Sequence, residues 1–144
     1  MSIKKDAQTA HANLLEKTDP EALERINHFA FDEVQADVDL PDRTKMLSTL
    51  AYLLGMQGVD EYKVMLPVAL DNGVSPVEAK EVLYQAVDYL GLGRVFPFFK
   101  ATNDVLRARG VEMPLPSQSI TTMDNRLEKG EETQIRLFGP QMKD

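Results

Sequence analysis

Hydrophobic residues recur along most of this chain at the three- and four-residue spacing of an amphipathic α-helix. Asp19 and Pro20 are typical of a helix start, and the apolar spacing continues from there to about Gln35. A second predicted helix follows Pro41 and ends near residues 55–58. Alternating runs of β-branched residues, which are typical of strands, are almost absent. The pattern therefore predicts an all-α protein.

The middle of the chain carries the clearest local signal. A helical segment that begins near Asp60 is predicted to stop at Gly73. Ser75 and Glu78 then have the spacing of a capping box, in which each side chain satisfies a backbone amide at the start of a helix. Apolar residues continue at helical spacing until Gly91, which provides the exit.

The last third of the chain changes character. A helix is predicted from about Val95 to Arg109, and the proline-containing stretch 111–118 reads as an extended linker. The polar tail favours one more amphipathic helix, interrupted at Gly130, that docks on another surface such as a sister subunit. The predicted organisation is an N-terminal helical arm (1–18), a helical domain (19–110), and a linker with a C-terminal helical tail (111–144).

Composition narrows the classes of partner. Hydrophobic residues make up 43% of the chain and charged residues 27%, as in ordinary globular proteins. The net charge of −7 repels phosphate backbones, so we expect no nucleic-acid partner. The sequence has no apolar run long enough for a secretory signal or a membrane span. We therefore expect a cytoplasmic protein that does not associate with membranes.

The residue types also limit the chemistry. The chain has no cysteine, which excludes disulfides, thiolate nucleophiles and thiolate metal sites. Its two histidines do not form a metal-binding spacing such as HxxxH or HExxH. The GLG sequence at residues 91–93 lacks the lysine and the preceding strand of a phosphate-binding loop. We therefore expect neither a metal nor another cofactor.

One long segment has a recognisable order of features. The stretch ALDNGVSPVEAKEVLYQAVDYLG combines small residues, a glycine turn, an acidic helix start and a tyrosine-any-glycine ending. With its surroundings, from Leu40 to Val95, it resembles the carboxymuconolactone decarboxylase family, which includes the alkylhydroperoxidase D-like proteins. The resemblance implies an all-α bundle around a helical hairpin, and it implies a homo-oligomer, either a trimer or a hexamer.

The chain departs from the family pattern at the reactive positions. Peroxidase-like members carry a CxxC pair and a histidine four residues later, and this register places Gly58 and Glu61 at the cysteines and Met65 at the histidine. Decarboxylase-like members lack the cysteines but usually keep that histidine. Methionine does not transfer protons, so the resemblance makes thiol peroxidase chemistry implausible and weakens the usual decarboxylase chemistry.

Two residues are candidate catalytic groups. His28 lies within the predicted helical domain, and histidine is the natural proton shuttle near neutral pH. His11 lies in a polar N-terminal helix and is the less favoured of the two histidines. Glu61 would act as a base in a desolvated pocket. The structural alternatives are a surface position for His28 and a favourable helix-dipole contact for Glu61.

Four residues are candidate substrate-binding groups. Arg94 and Lys45 carry the charge needed to hold a carboxylate. Tyr89 and Met65 are candidates for lining an apolar pocket. Surface salt bridges and simple packing are the alternative roles for these side chains.

Two classes of function follow from these observations and stay open. The first is a lyase acting on a small carboxylated lactone or a similar organic acid. The second is a catalytically degenerate binding or assembly module of the same family, which the loss of the histidine at Met65 favours. An alkylhydroperoxidase-like antioxidant is the least favoured function because the chain has no thiol.

Overall fold

A computed structural model describes residues 3–143, and all the regular secondary structure in this part of the chain is helical. The predicted all-α fold is confirmed. In chain order the segments are α1 (Ile3–Leu15), α2 (Pro20–Asn27), a π-helical segment (His28–Val34), α3 (Gln35–Asp37), α4 (Asp42–Gly55), α5 (Val59–Asp71), α6 (Pro76–Leu90), α7 (Leu92–Ala108), α8 (Arg126–Phe138) and a 3-10 turn (Pro140–Met142). None of the described helices is long and apolar enough to cross a membrane.

Four helices form the centre of the fold. α4 packs against α5 and α6, and α7 packs against the same two helices, so that α5 and α6 each touch two neighbours of the bundle. α1 packs on α5 from outside and also contacts α2. The largest fully buried apolar side chains come from these four helices: Met46, Leu50, Leu54, Tyr62, Leu66, Leu83, Val95, Phe98 and Leu106.

A polar contact inside the core ties α5 to α7. The hydroxyl oxygens of Tyr62 and Thr102 lie 2.9 Å apart, and both side chains are fully buried. The Tyr62 ring meets Phe98 edge-on with 5.1 Å between ring centroids. Burial raises the pKa of Tyr62, so the phenol stays neutral and its hydrogen bond to Thr102 offsets the cost of burying it. The contact holds the start of α5 in place.

The predicted capping box is present at the start of α6. The amide of Glu78 donates to the Ser75 hydroxyl over 3.2 Å, and the amide of Ser75 donates to the Glu78 carboxylate over 2.9 Å. Gly73, in the preceding turn, has a φ of 96°, which a residue with a side chain adopts at a cost. The capping box and the positive φ of Gly73 therefore both stabilise the short connection between α5 and α6.

The start of α7 differs from the prediction. The helix begins at Leu92, not near Val95, because the single residue Gly91 ends α6 and starts α7. Its φ of 80° gives the chain this sharp change of direction. α7 also accommodates Pro97 within its length.

The C-terminal tail contains the predicted amphipathic helix. Residues 111–125 form no helix or strand, and α8 then runs through Gly130 without a break. No residue of α8 is buried, and Leu127, Leu137 and Phe138 are exposed. The helix thus presents an apolar side that its own bundle leaves uncovered.

Replacing Ser75 by alanine is expected to lower the free energy of unfolding by about 1 kcal/mol, because the capping hydrogen bond to the Glu78 amide is lost. Urea unfolding followed by circular dichroism measures the change. Ser48 is an exposed serine inside α4, so Ser48→Ala is the matched control and is expected to leave stability equal or slightly higher. Equal stability of the two variants would contradict the capping role.

Candidate functional site

The contact between α1 and α5 brings a histidine and a carboxylate together. His11 Nε2 lies 2.6 Å from Glu61 Oε1, across fifty residues of sequence. His11 is buried at 7% exposure, whereas the Glu61 side chain is 43% exposed. The pair therefore has a buried imidazole behind a carboxylate that solvent reaches.

The surroundings favour the charged form of the imidazole. The hydrogen bond that His11 Nε2 donates to the Glu61 carboxylate raises the pKa of His11, and the negative charge of Glu61 adds to the increase. Burial acts in the opposite direction, but the pKa of His11 remains above its ordinary value of 6.5. The second ring nitrogen, Nδ1, is buried and has no hydrogen-bond partner among the described residues. Among the described residues, Glu61 is thus the group that contacts a ring nitrogen of His11 and to which the ring can pass a proton.

The ring of Phe31 connects this pair to a neighbouring cavity. Its centroid lies 6.4 Å from that of the His11 ring, and Phe31 is the buried residue of the π-helical segment. Phe31 also lines a cavity of about 260 Å³ together with Lys45 and Gln35. Lys45 Nζ donates to the backbone carbonyl of Gln35 over 3.3 Å and has no carboxylate partner among the described ion pairs. A cation thus lies in a cavity that is separated from the His11 ring by Phe31, and neither His11 nor Glu61 lines this cavity.

The structure places two other predicted residues on or beside this part of the molecule. Met65 follows Glu61 by one helical turn on α5, so both start from the same side of the helix. Its side chain is buried at 5% exposure and belongs to the core. Lys45, at the edge of the cavity described above, is half-buried on α4.

The remaining predicted residues lie elsewhere. His28 is exposed on the π-helical segment, where its Nδ1 lies 2.9 Å from Glu33 Oε1 in a separate cavity. Arg94 is exposed in the first turn of α7. Tyr89 is 87% exposed at the end of α6. None of these three lines the cavity beside Phe31.

Tyr89 belongs to an apolar groove between α4 and α6. The groove has a volume of about 560 Å³ and is lined chiefly by aliphatic side chains, among them Leu47, Ala51, Val82 and Ala86. The ion pair of Arg43 and Glu78 lies at its margin. We refer to it below as the α4–α6 groove.

His11 is the functional candidate that sequence reasoning ranked too low. Its neighbours at four-residue spacing, Ile3 and Ala7, are both buried, so the three residues form the buried stripe of α1. That four-residue spacing is visible in the sequence and predicts that His11 is buried on the same side of α1 as Ile3 and Ala7. The partner of His11 is not visible there, because Glu61 lies on another helix.

Comparison with known proteins assigns the family. The model of the carboxymuconolactone decarboxylase family matches residues 20–104, which is more than half of the chain. The chain belongs to this family. The matched segment includes Glu61, Met65 and Lys45 but begins after α1, so His11 lies outside it.

A curated relative supports the same assignment. A 4-carboxymuconolactone decarboxylase from Acinetobacter baylyi is 37% identical over 67 residues, which cover 46% of this chain and 50% of that protein. The chain therefore spans about half the length of the curated relative that it matches.

The His11–Glu61 pair should make stability depend on pH. Because the folded state raises the pKa of His11, the stabilisation is fully present below the unfolded value of 6.5 and is lost as pH rises through the folded pKa. Glu61→Gln is therefore expected to destabilise the protein by on the order of 1 kcal/mol at a pH of about 6, discounted for the exposure of Glu61, and by little at a pH of about 9.

Urea unfolding at the two pH values measures this difference. Glu33→Gln is the matched control, because Glu33 contacts the other histidine, His28, on an exposed surface. It is expected to change stability little at either pH. A Glu61→Gln effect that is the same at both pH values would contradict the charged pairing with His11.

Proposed function

We propose that the protein is a lyase that removes CO₂ from a small carboxylated lactone or a similar organic acid, with the His11–Glu61 pair handling the proton. The family assignment supports the reaction class, and the name of the A. baylyi relative suggests the type of substrate. The single observation that carries the proposal is the 2.6 Å contact between a buried histidine and a half-exposed glutamate.

The proposed step needs a proton donor in the protein and a group in the substrate itself that accepts the electron pair of the broken bond. The bond between the ring and the carboxylate carbon breaks, CO₂ leaves, and the electron pair remains on the organic acid as an enolate-type anion. A proton must then reach that anion. The proton rests on the His11 imidazolium and passes from Nε2 to the carboxylate of Glu61, which is the member of the pair open to solvent. Glu61 then gives it to the anion, which leaves Glu61 ionised and His11 neutral until solvent returns a proton to the pair. A raised pKa keeps His11 protonated near neutral pH.

The arrangement accounts for the departure from the family pattern at Met65. The histidine that decarboxylase-like relatives usually have at this position would lie one turn after Glu61 on α5. In this chain α1 supplies an imidazole to the same helix, at Glu61. We propose that His11 replaces the histidine that α5 lacks.

One end of the substrate is assigned to the cavity beside Phe31, and its reacting carbon is assigned to the solvent-open side of Glu61, because Glu61 does not line the cavity. A carboxylate gains from a nearby ammonium that is not already paired with an acid, and Lys45 meets that condition. The cavity of about 260 Å³ suits a small organic acid. Met65 stays a structural neighbour in this proposal, because its side chain is in the core.

The proposal is tested by CO₂ release from 4-carboxymuconolactone, the compound in the relative's name. Glu61→Gln is expected to lower kcat by about a hundredfold or more, since the transferring group is lost. His11→Gln is expected to lower kcat less and to change the pH dependence of kcat. Lys45→Met is expected to raise KM chiefly.

His28→Gln separates the two histidine assignments in the same assay. Retained turnover in His28→Gln with impaired turnover in His11→Gln would support the pair described above. The opposite pattern would assign the proton to His28, and full activity of Glu61→Gln would remove the proposed mechanism. Circular dichroism of each variant distinguishes a loss of activity in a folded protein from a loss of folding.

A second candidate function rests on a different observation. The α4–α6 groove and the apolar side of α8 are both uncovered in a single chain, which favours a homo-oligomer and an assembly role for the protein. In this alternative the protein binds or organises partners without turnover. This alternative would be favoured over the lyase proposal if the protein turned over no carboxylated substrate.

Native mass spectrometry tests the assembly. We expect a trimer or a hexamer that is weakened by Ala51→Glu, because this change puts a charge into the apolar α4–α6 groove. Ala22 is an exposed alanine of α2, so Ala22→Glu is the matched control and is expected to keep the oligomer. A monomeric wild-type protein would contradict the expected assembly.

A further inference from the structure

Lys80 is a buried lysine on the side of the bundle formed by α6 and α7. Its exposure is only 9%. Nζ donates to the side-chain oxygen of Asn103 over 2.5 Å and lies 5.5 Å from the centroid of the Phe99 ring. No carboxylate pairs with it among the described ion pairs. A buried amine without an acid partner is costly to keep charged.

A cavity of about 580 Å³ opens beside this amine. One wall is α6, which contributes Lys80, Glu81 and Tyr84, and the other wall is the irregular segment 115–121. A small molecule that enters between α6 and this segment therefore meets Lys80 together with a carboxylate and a phenol.

The surroundings of Lys80 make its ammonium easier to deprotonate than that of an exposed lysine. Burial lowers the pKa of Lys80, and the positive charge of Arg107 on α7 lowers it further. Glu81 and Tyr84 are the ionisable groups that α6 adds to the cavity, and segment 115–121 contributes none. Removal from water and a neighbouring cation are the two conditions that activate lysine as a nucleophile.

We infer that Lys80 captures small aldehydes or ketones as an imine in the cavity between α6 and segment 115–121. The lone pair of Nζ forms a bond to the carbonyl carbon, the carbonyl oxygen takes one proton, and Nζ gives up one proton, which gives a carbinolamine. The carbon–oxygen bond then breaks, the oxygen leaves as water with a second proton, Nζ gives up its second proton, and the carbon–nitrogen double bond forms. Glu81 and Tyr84 are the proton donors and acceptors available in the cavity.

This site is independent of the proposed lyase site. Lys80 and its partners come from α6 and α7, whereas His11 and Glu61 come from α1 and α5. The two cavities have no lining residue in common. A result at Lys80 thus neither supports nor weakens the decarboxylation proposal.

The test is reductive alkylation of the full chain with propanal and sodium cyanoborohydride at neutral pH, followed by digestion and mass spectrometry of each lysine. We expect Lys80 to be modified about tenfold faster than Lys100, an exposed lysine of α7 that is paired with Asp104. A lysine that is only packed would react more slowly than an exposed one. Modification of Lys80 at or below the rate of Lys100 would therefore overturn the inference.

Asn103→Asp shows whether the cavity sets the reactivity. The new carboxylate would face Nζ at the position of the amide oxygen and favour the ammonium form. We expect alkylation of Lys80 to slow by about tenfold at neutral pH and to recover at higher pH. Asn13→Asp, at an exposed asparagine of α1, is the matched control. An unchanged Lys80 rate in Asn103→Asp would contradict the inference.

Lys80→Arg completes the set. It keeps a hydrogen-bond donor beside Asn103 and Phe99 but cannot form the imine, so the fast adduct should vanish while the other lysines react as before. Persistence of the fast adduct would place it on another residue and overturn the inference. The wild-type rates decide the question without any variant, so a variant that fails to fold does not weaken the test.

Discussion

The position of α5 in the bundle is the constraint on which the rest of the structure depends. The helix packs against α4 and α7 within the bundle and against α1 outside it. Two adjacent residues secure its start in two directions. Tyr62 bonds Thr102 on α7 inside the core, and Glu61 bonds His11 on α1 at the surface. A shift of α5 would disturb both contacts at once, so the core and the candidate site are coupled through a single helical turn.

This coupling brings a histidine that lies before the segment matched by the family model into contact with a glutamate inside that segment. The family model begins at residue 20, and α1 precedes it. α1 buries Ile3, Ala7 and His11 along one stripe against the bundle. Because two apolar members of the stripe set the depth of α1, the imidazole between α1 and α5 is held in place although α1 lies outside the segment that the family model matches.

Local features of the sequence were predictable, and contacts between distant segments were not. The capping box at Ser75 and Glu78 depends on residues three apart, and the structure has it as predicted. The start of α7 was placed too late because one residue, Gly91, serves two helices, which spacing alone does not reveal. The partner of Glu61 is fifty residues away, so no local pattern identified it. His28 looked better than His11 only because the polar residues of α1 obscured its buried stripe.

The pKa values of the two buried bases, His11 and Lys80, shift in opposite directions within one small fold. At His11 a carboxylate outweighs the effect of burial, so the pKa rises and the group holds its proton. At Lys80 no carboxylate is paired with the amine among the described ion pairs, so burial and Arg107 lower the pKa and the group gives up its proton more readily than an exposed lysine does. The difference arises from what the neighbouring helix offers, a glutamate on α5 and an asparagine on α7. The side chain that the neighbouring helix places beside the buried base, Glu61 or Asn103, thus contributes to the direction in which the pKa of that base shifts.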